Sequence, residues 1–199
     1  MGSAEESSSY HQISALIERL RTAMPDEDAR LREELVALIE SGRHLLIGAK
    51  ALIRYTRPRF TEDTDYAVGL QMFRRVRKWF RDHEHCVSYD DAGEAIRSKS
   101  LAVDVINAHN NPVLLHVLQS ETGLPSAEGL AAYKYVAMTS PTRARAERIQ
   151  DFADFSKLAL LGDFDAARFL GYMVGPYEEQ RSEIEQLIDD IKAGRPVRF

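Results

Sequence analysis

The chain has a single cysteine, Cys86, and nowhere a long apolar run. One cysteine excludes an internal disulfide and suits a reducing compartment, so a cytoplasmic protein is expected. No apolar stretch approaches the roughly 18 residues of a membrane span, so no membrane partner is expected either. Positive charge is in deficit: 26 Lys and Arg stand against 31 Asp and Glu, a net −5. Such a chain has no global attraction to nucleic acid, and any binding of that kind must rest on a local patch. Internal repeats and low-complexity linkers are absent as well. The polar opening MGSAEESSS lacks the pattern of a signal or transit peptide. Glu6 stands where a myristoylated N-terminus wants Ser or Thr.

What is present suits one globular domain, or a domain with a helical extension, in 199 residues. Residues 10–23 read as an amphipathic helix on Ile13, Ile17 and Leu20, broken at Met24-Pro25. Asp26 or Asp28 is the expected cap of a second helix, which carries Leu31, Leu35, Leu38 and Ile39 and stops at Ser41-Gly42. Residues 1–42 are therefore expected to supply helices that pack on the remainder of the chain.

The stretch from His44 to Val68 carries the chemistry. A short apolar run (Leu45, Leu46, Ile47) breaks at Gly48, and a helix-compatible segment then runs to just before Pro58. The chain re-extends through Arg59-Phe60-Thr61 into Asp63-Thr64-Asp65-Tyr66-Ala67-Val68. On a strand, side chains alternate with period two, so Asp63 and Asp65 share a face. Two carboxylates beside a backbone turn at a helix start suit a divalent cation and a phosphate. Further on, Asp104 interrupts the apolar run Leu101–Ile106. A carboxylate there is costly to bury unless it is paired or binds a metal. An arginine or an edge position could satisfy it equally.

Between these, residues 69–83 form an expected helix. Leu70, Phe73, Val76 and Phe80 face inward, and Arg74, Arg75, Arg77, Lys78 and Arg81 lie mostly on the other side. A solvated face is the plain reading of those bases, and a surface for a polyanion such as RNA is the sharper one. Cys86–Tyr89, Ala95–Arg97 and Leu101–Ile106 read as strands, with a turn at Asp90-Asp91-Ala92-Gly93. Helices are expected over Val113–Gln119, from a Ser126 cap through Lys134 and Met138, over Arg143–Leu161, and over Tyr177–Ala193. His83-Glu84-His85-Cys86 holds metal-ligand types too close together for a tetrahedral site. Neither a Walker loop nor a Gly-x-Gly-x-x-Gly fingerprint is present.

The composite of apolar strand, glycine turn, helix, Arg-x-Thr-x-Asp-x-Asp and a later strand aspartate resembles the polymerase-β-like nucleotidyltransferase superfamily. Within it, the pattern is similar to the bacterial branch of AbiEii-type toxins. The residues that carry the likeness are Gly48, Arg59, Thr61, Asp63 and Asp65, with Ala49 where a glycine or serine is usual, so one phosphate-contacting hydroxyl is missing. A weaker likeness extends over residues 124–155, through Lys134, Arg148, Asp151 and Asp154.

The resemblance implies an α+β fold, with a small mixed β-sheet nucleotidyltransferase palm over residues 43–119, flanking helices, and a helical C-terminal half over residues 120–199. It implies Mg²⁺ or Mn²⁺ on Asp63, Asp65 and Asp104, which are also the catalytic carboxylates, Asp104 activating the acceptor hydroxyl. A nucleoside triphosphate would meet Gly48, Ala49, Arg59, Thr61 and Lys134, and Asp151 and Asp154 would orient the lysine or form an ion-pair network. The implied reaction moves a nucleoside monophosphate to an acceptor hydroxyl on RNA, protein or a small molecule. A toxin with a cognate antitoxin protein, an antibiotic-modifying enzyme, and a non-catalytic module that keeps the fold are the three functions in view. The three carboxylates should converge on one cleft. The basic faces at Arg74–Arg81 and Arg143–Arg148, if they lie on that side, would favour a polyanionic acceptor, and an acidic pocket there a cationic one.

Overall fold

The strands sort their side chains by alternation, and the two sets of apolar residues so produced call for cover on both faces of one sheet. In the computed structural model, which describes residues 25–57, 61–85, 87–89 and 93–197, that cover is helical on each side. The elements are α1 (Pro25–Glu40), β1 (His44–Ile47), α2 (Gly48–Leu52), β2 (Thr64–Val68), α3 (Leu70–Asp82), β3 (Ser88–Tyr89), β4 (Ala95–Ser98) and β5 (Val103–Asn107). Then come α4 (Pro112–Ser120), α5 (Ala127–Thr139), α6 (Arg145–Ala159), α7 (Ala166–Tyr172) and α8 (Arg181–Lys192). The fold is α+β, with strand order β1-β2-β5-β4-β3. All neighbours are antiparallel except β2 and β5, so the sheet is mixed.

One face is dry. Tyr66, Val68, Ile96, Val103 and Val105 pack there against Leu31, Leu35 and Ile39 of α1 and Phe73, Val76 and Phe80 of α3. On the other face Leu45, Ile47 and Ala67 join a second cluster with Leu130, Met138, Phe155, Leu158, Phe169, Ile184 and Ile188. The C-terminal helices therefore share a core with the sheet and do not build one of their own. The outer edge of β1 is covered by the segment before α5: Leu46 N–H donates to the Gly123 carbonyl at 2.7 Å, and Gly123 N–H to the His44 carbonyl at 2.8 Å. Pairing that edge removes a template for unwanted strand addition.

Local chemistry explains the helix starts. Ser126 Oγ accepts from Gly129 N–H at 3.1 Å, and Asn111 Oδ1 from Leu114 N–H at 3.0 Å, each satisfying an orphan donor of a first turn. Other expectations need correction. The helix after Gly48 ends at Leu52 and gives way to turns, well short of Pro58. Helix α1 begins at Pro25, so Asp26 and Asp28 fall inside its first turn and neither is its cap. A helix from Tyr177 is delayed to Arg181, because Gly175, at φ +65°, and Pro176 set a 3₁₀ turn first. Helix α7 was not expected: seven residues are too few for a periodic signal. The expected helix over residues 10–23, Arg59, Cys86 and the turn residues Asp90, Asp91 and Ala92 lie outside the described residues.

Candidate active site

Register builds the site. On the parallel pair, Asp65 of β2 stands opposite Asp104 of β5, and Asp104 in turn stands opposite Arg97 of β4. Partners across a sheet project from the same face, and neighbouring strands are about 4.8 Å apart. Asp63 lies one residue before β2 and has the same parity as Asp65. All three aspartates line a single cleft of about 500 Å³ between the sheet and helices α5 and α6. Gly48, Ala49 and Thr61 line its sheet side, and Tyr133, Lys134, Arg143 and Asp151 its helical side. The expected strand start at Asp63 is corrected by one residue, to Thr64.

Gly48 is held by two constraints. Its φ is +70°, a conformation L side chains rarely adopt, and a Cβ there would sit 1.9 Å from Asp65 Oδ2. The turn between β1 and α2 thus lies directly against the carboxylate of the central strand. Ala49, the residue that departs from the resembled pattern, is nearly buried beside it.

The acids feel burial and one another. Burial raises the Asp65 carboxyl, and the charge of Asp63 adds to this, while Lys134 and Lys50 oppose it. Asp104 is pushed up to about 6, first by burial, then by the charge of Asp65, with Arg97 pulling the other way. Arg97 Nε lies 3.8 Å from Asp104 Oδ2 and is largely exposed, so that pairing is loose. Crowded carboxylates of this kind are what a divalent cation relieves, and oxygen donors are what Mg²⁺ takes. Among the described residues, no group of three or more His, Cys, Asp or Glu side chains is arranged to hold a metal ion by itself. The aspartates offer oxygen donors, the type a hard cation takes.

On the helical side a buried ion network closes the cleft. Lys134 Nζ lies 2.8 Å from Asp151 Oδ1 and 3.0 Å from Asp154 Oδ2, with all three residues 3% exposed or less. Arg143 Nε reaches Asp151 Oδ2 at 3.1 Å. Asp151 and Asp154, four and seven residues after Glu147, face α5 because one helix face recurs at that spacing. They hold the lysine at the cleft wall. Burial also raises the Tyr133 phenol, which keeps it neutral.

Of the basic face expected at Arg143–Arg148, Arg143 lines the cleft and Arg148 does not. Sequence reasoning missed three lining or supporting residues. Arg97 is one, since its pairing with Asp104 depends on strand order. Tyr133 is the second. Lys50 is the third, its Nζ donating to the Glu62 carbonyl at 2.8 Å and to Thr64 Oγ1 at 2.7 Å. These bonds tie α2 to the two residues flanking Asp63. Burial and the neighbouring Arg32 charge lower the Lys50 ammonium. The bases of α3 lie on the dry face's side of the sheet, away from the aspartates. His83 and His85 end that helix in contact with the Trp79 carbonyl and Ser100 Oγ.

No family model matches the chain, and no curated protein matches it. No helix among the described residues is long and apolar enough to cross a membrane.

Proposed function

We propose that this protein is a metal-dependent nucleotidyltransferase that moves a nucleoside monophosphate from a triphosphate to an acceptor hydroxyl. The observation that carries the reading is the register that sets Asp65 opposite Asp104 on the face shared with Asp63, with Gly48 packed against Asp65. A bound Mg²⁺ or Mn²⁺ supplies charge neutralisation at the phosphate oxygens. Asp63 and Asp65 would hold it, with Asp104 as the third carboxylate. Lys50 would keep the segment that bears Asp63 in place. Asp104 would take the proton of the acceptor hydroxyl as a general base. Lys134, steadied by Asp151 and Asp154, and Arg143 would meet the phosphates from the helical wall.

The cleft lining bears on the acceptor. Asp63, Asp65, Asp104, Glu147 and Asp151 outnumber Arg97, Lys134 and Arg143. An acidic lining favours a cationic small molecule as the acceptor. A toxin-like enzyme acting on RNA or protein is the second reading, favoured by Arg143 within the cleft. The test is incubation with Mg²⁺, each α-labelled triphosphate, and in separate reactions total RNA, cationic aminoglycosides and the protein alone. Label transferred from one nucleotide, and lost in Asp65→Asn, is expected. Transfer undiminished in Asp65→Asn would place the chemistry elsewhere.

A further inference from the structure

Helix α3 concentrates positive charge in a chain that is negative overall. Arg74, Arg75, Arg77, Lys78 and Arg81 stand against the single acid Asp82, and all five bases are exposed. At 100° per residue, Arg74, Arg77, Lys78 and Arg81 form one stripe about 10 Å long, opposite the buried Phe73, Val76 and Phe80. Lys78 pairs with Asp82. Arg74 and Arg81 make no side-chain hydrogen bond or ion pair among the described residues. The guanidinium of Arg77 lies over the ring of Tyr89, 5.4 Å from its centroid, and that ring is 46% exposed on the outermost strand. On α1, Glu34 is already occupied by Arg30 at 2.6 Å and lies 3.8 Å from His83.

We infer that this face, on the opposite side of the sheet from the cleft, binds single-stranded nucleic acid. The stripe tracks the phosphates, and Tyr89 with Arg77 offers a platform on which a base stacks. A lipid surface is a poor occupant, since the large exposed apolar side chains among the described residues are Ile53, Tyr89, Leu124, Ile149 and Leu160, none of them on α3. The inference does not depend on the chemistry of the cleft and stands if the cleft transfers nothing.

Fluorescence anisotropy with a labelled 20-nucleotide polyuridine RNA, and its DNA counterpart, tests it on the full chain without triphosphate or metal. Binding at 50 mM salt is expected to weaken as salt rises, with a log–log slope of roughly −0.7 for each phosphate contacted. The triple variant Arg74→Glu/Arg77→Glu/Arg81→Glu should bind at least tenfold more weakly and show a flatter slope. Tyr89→Ala should lose about fivefold or more, and Arg181→Glu, at an exposed base of α8 paired only with Glu185, should lose nothing. Circular dichroism and melting should show each exposed-site variant folded. A preference between RNA and DNA identifies which strand the face serves. No binding at 50 mM salt, or full binding by the triple variant, overturns the inference. So does an equal loss in Arg181→Glu. Equal affinity for polyglutamate, with no effect of Tyr89→Ala, would mean a general polyanion face and overturn the nucleic-acid assignment.

Discussion

The two faces of the sheet are built from the same strands and alternate residue by residue, yet they have opposite character. Val103, Val105, Tyr66 and Ile96 point to one side and meet α1 and α3 in a buried apolar layer. Asp104, Asp65 and Arg97 point to the other, where α5 and α6 stand off and leave a cleft. The dry face derives its stability from apolar area. The wet face gathers like charges that destabilise one another unless a cation joins them. A single strand thus serves two ends: one set of alternate positions anchors it, and the other carries the site.

Four substitutions separate those roles. The largest expected effect is on the wet face: Asp65→Asn should lower label transfer by three to four orders of magnitude, about 4–5 kcal/mol in the barrier, while the melting temperature does not fall. Single-turnover transfer checks it; a variant that unfolds instead would make Asp65 a structural residue. On the dry face, Phe80→Ala should destabilise by about 3–4 kcal/mol through loss of burial and an unfilled cavity. Triphosphate binding per folded molecule should not change. Urea titration and a binding isotherm on the same sample distinguish the two quantities, and weakened binding at full folding would show that the faces are coupled.

At the seam between them, Gly48→Ala should cost about 1–2 kcal/mol for the positive φ and must displace the Asp65 carboxylate. Its expected signature is a joint loss of stability and of Mg²⁺-dependent nucleotide binding, readable as a lost thermal shift with Mg²⁺ and triphosphate. A stability loss alone would mean that the turn and the carboxylate act separately. The smallest effect is of opposite sign. Asp104 is held above the ordinary value of 3.8, so folding takes up a proton between about pH 4 and 6. In chelator, the contribution of this group to stability is then present below pH 4 and lost as pH rises through about 6. Asp104→Asn should therefore stabilise the metal-free protein by about 1–2 kcal/mol at pH 7, and by little at pH 4. A destabilised Asp104→Asn at pH 7 would mean that Arg97 outweighs the crowding of the aspartates.

Much of this was legible from residue patterns because the relevant signals are local. The period-two alternation around Asp63 and Asp65, the glycine break after Ile47, the aspartate inside Val-Asp-Val and the Ser126 cap are each written within a few residues. The stripe of α3 and the spacing of Asp151 and Asp154 belong to the same class, since a helix brings i, i+3 and i+4 together whatever surrounds it. Where turns and packing compete, the local signal failed. The segment after Gly48 has helix-compatible residues to Arg57, yet its helix stops at Leu52. Helix α7 exists because Phe169 enters an aromatic cluster with Tyr135, Phe155 and Phe164, a reason no seven-residue window contains.

What the sequence by itself determined is therefore the kind of element at most places and the face on which each acid lies, because dihedral preference and side-chain period act over one or two turns. Only the tertiary structure decided that β5 lies beside β2 in parallel, with Asp104 level with Asp65, and that α5 and α6 bring Lys134 and Arg143 over the same cleft. It also decided that the bases of α3 lie on the other side of the sheet from the aspartates. Strand order and the choice of face by a helix arise from burying all the apolar stripes at once, and that condition spans the whole chain.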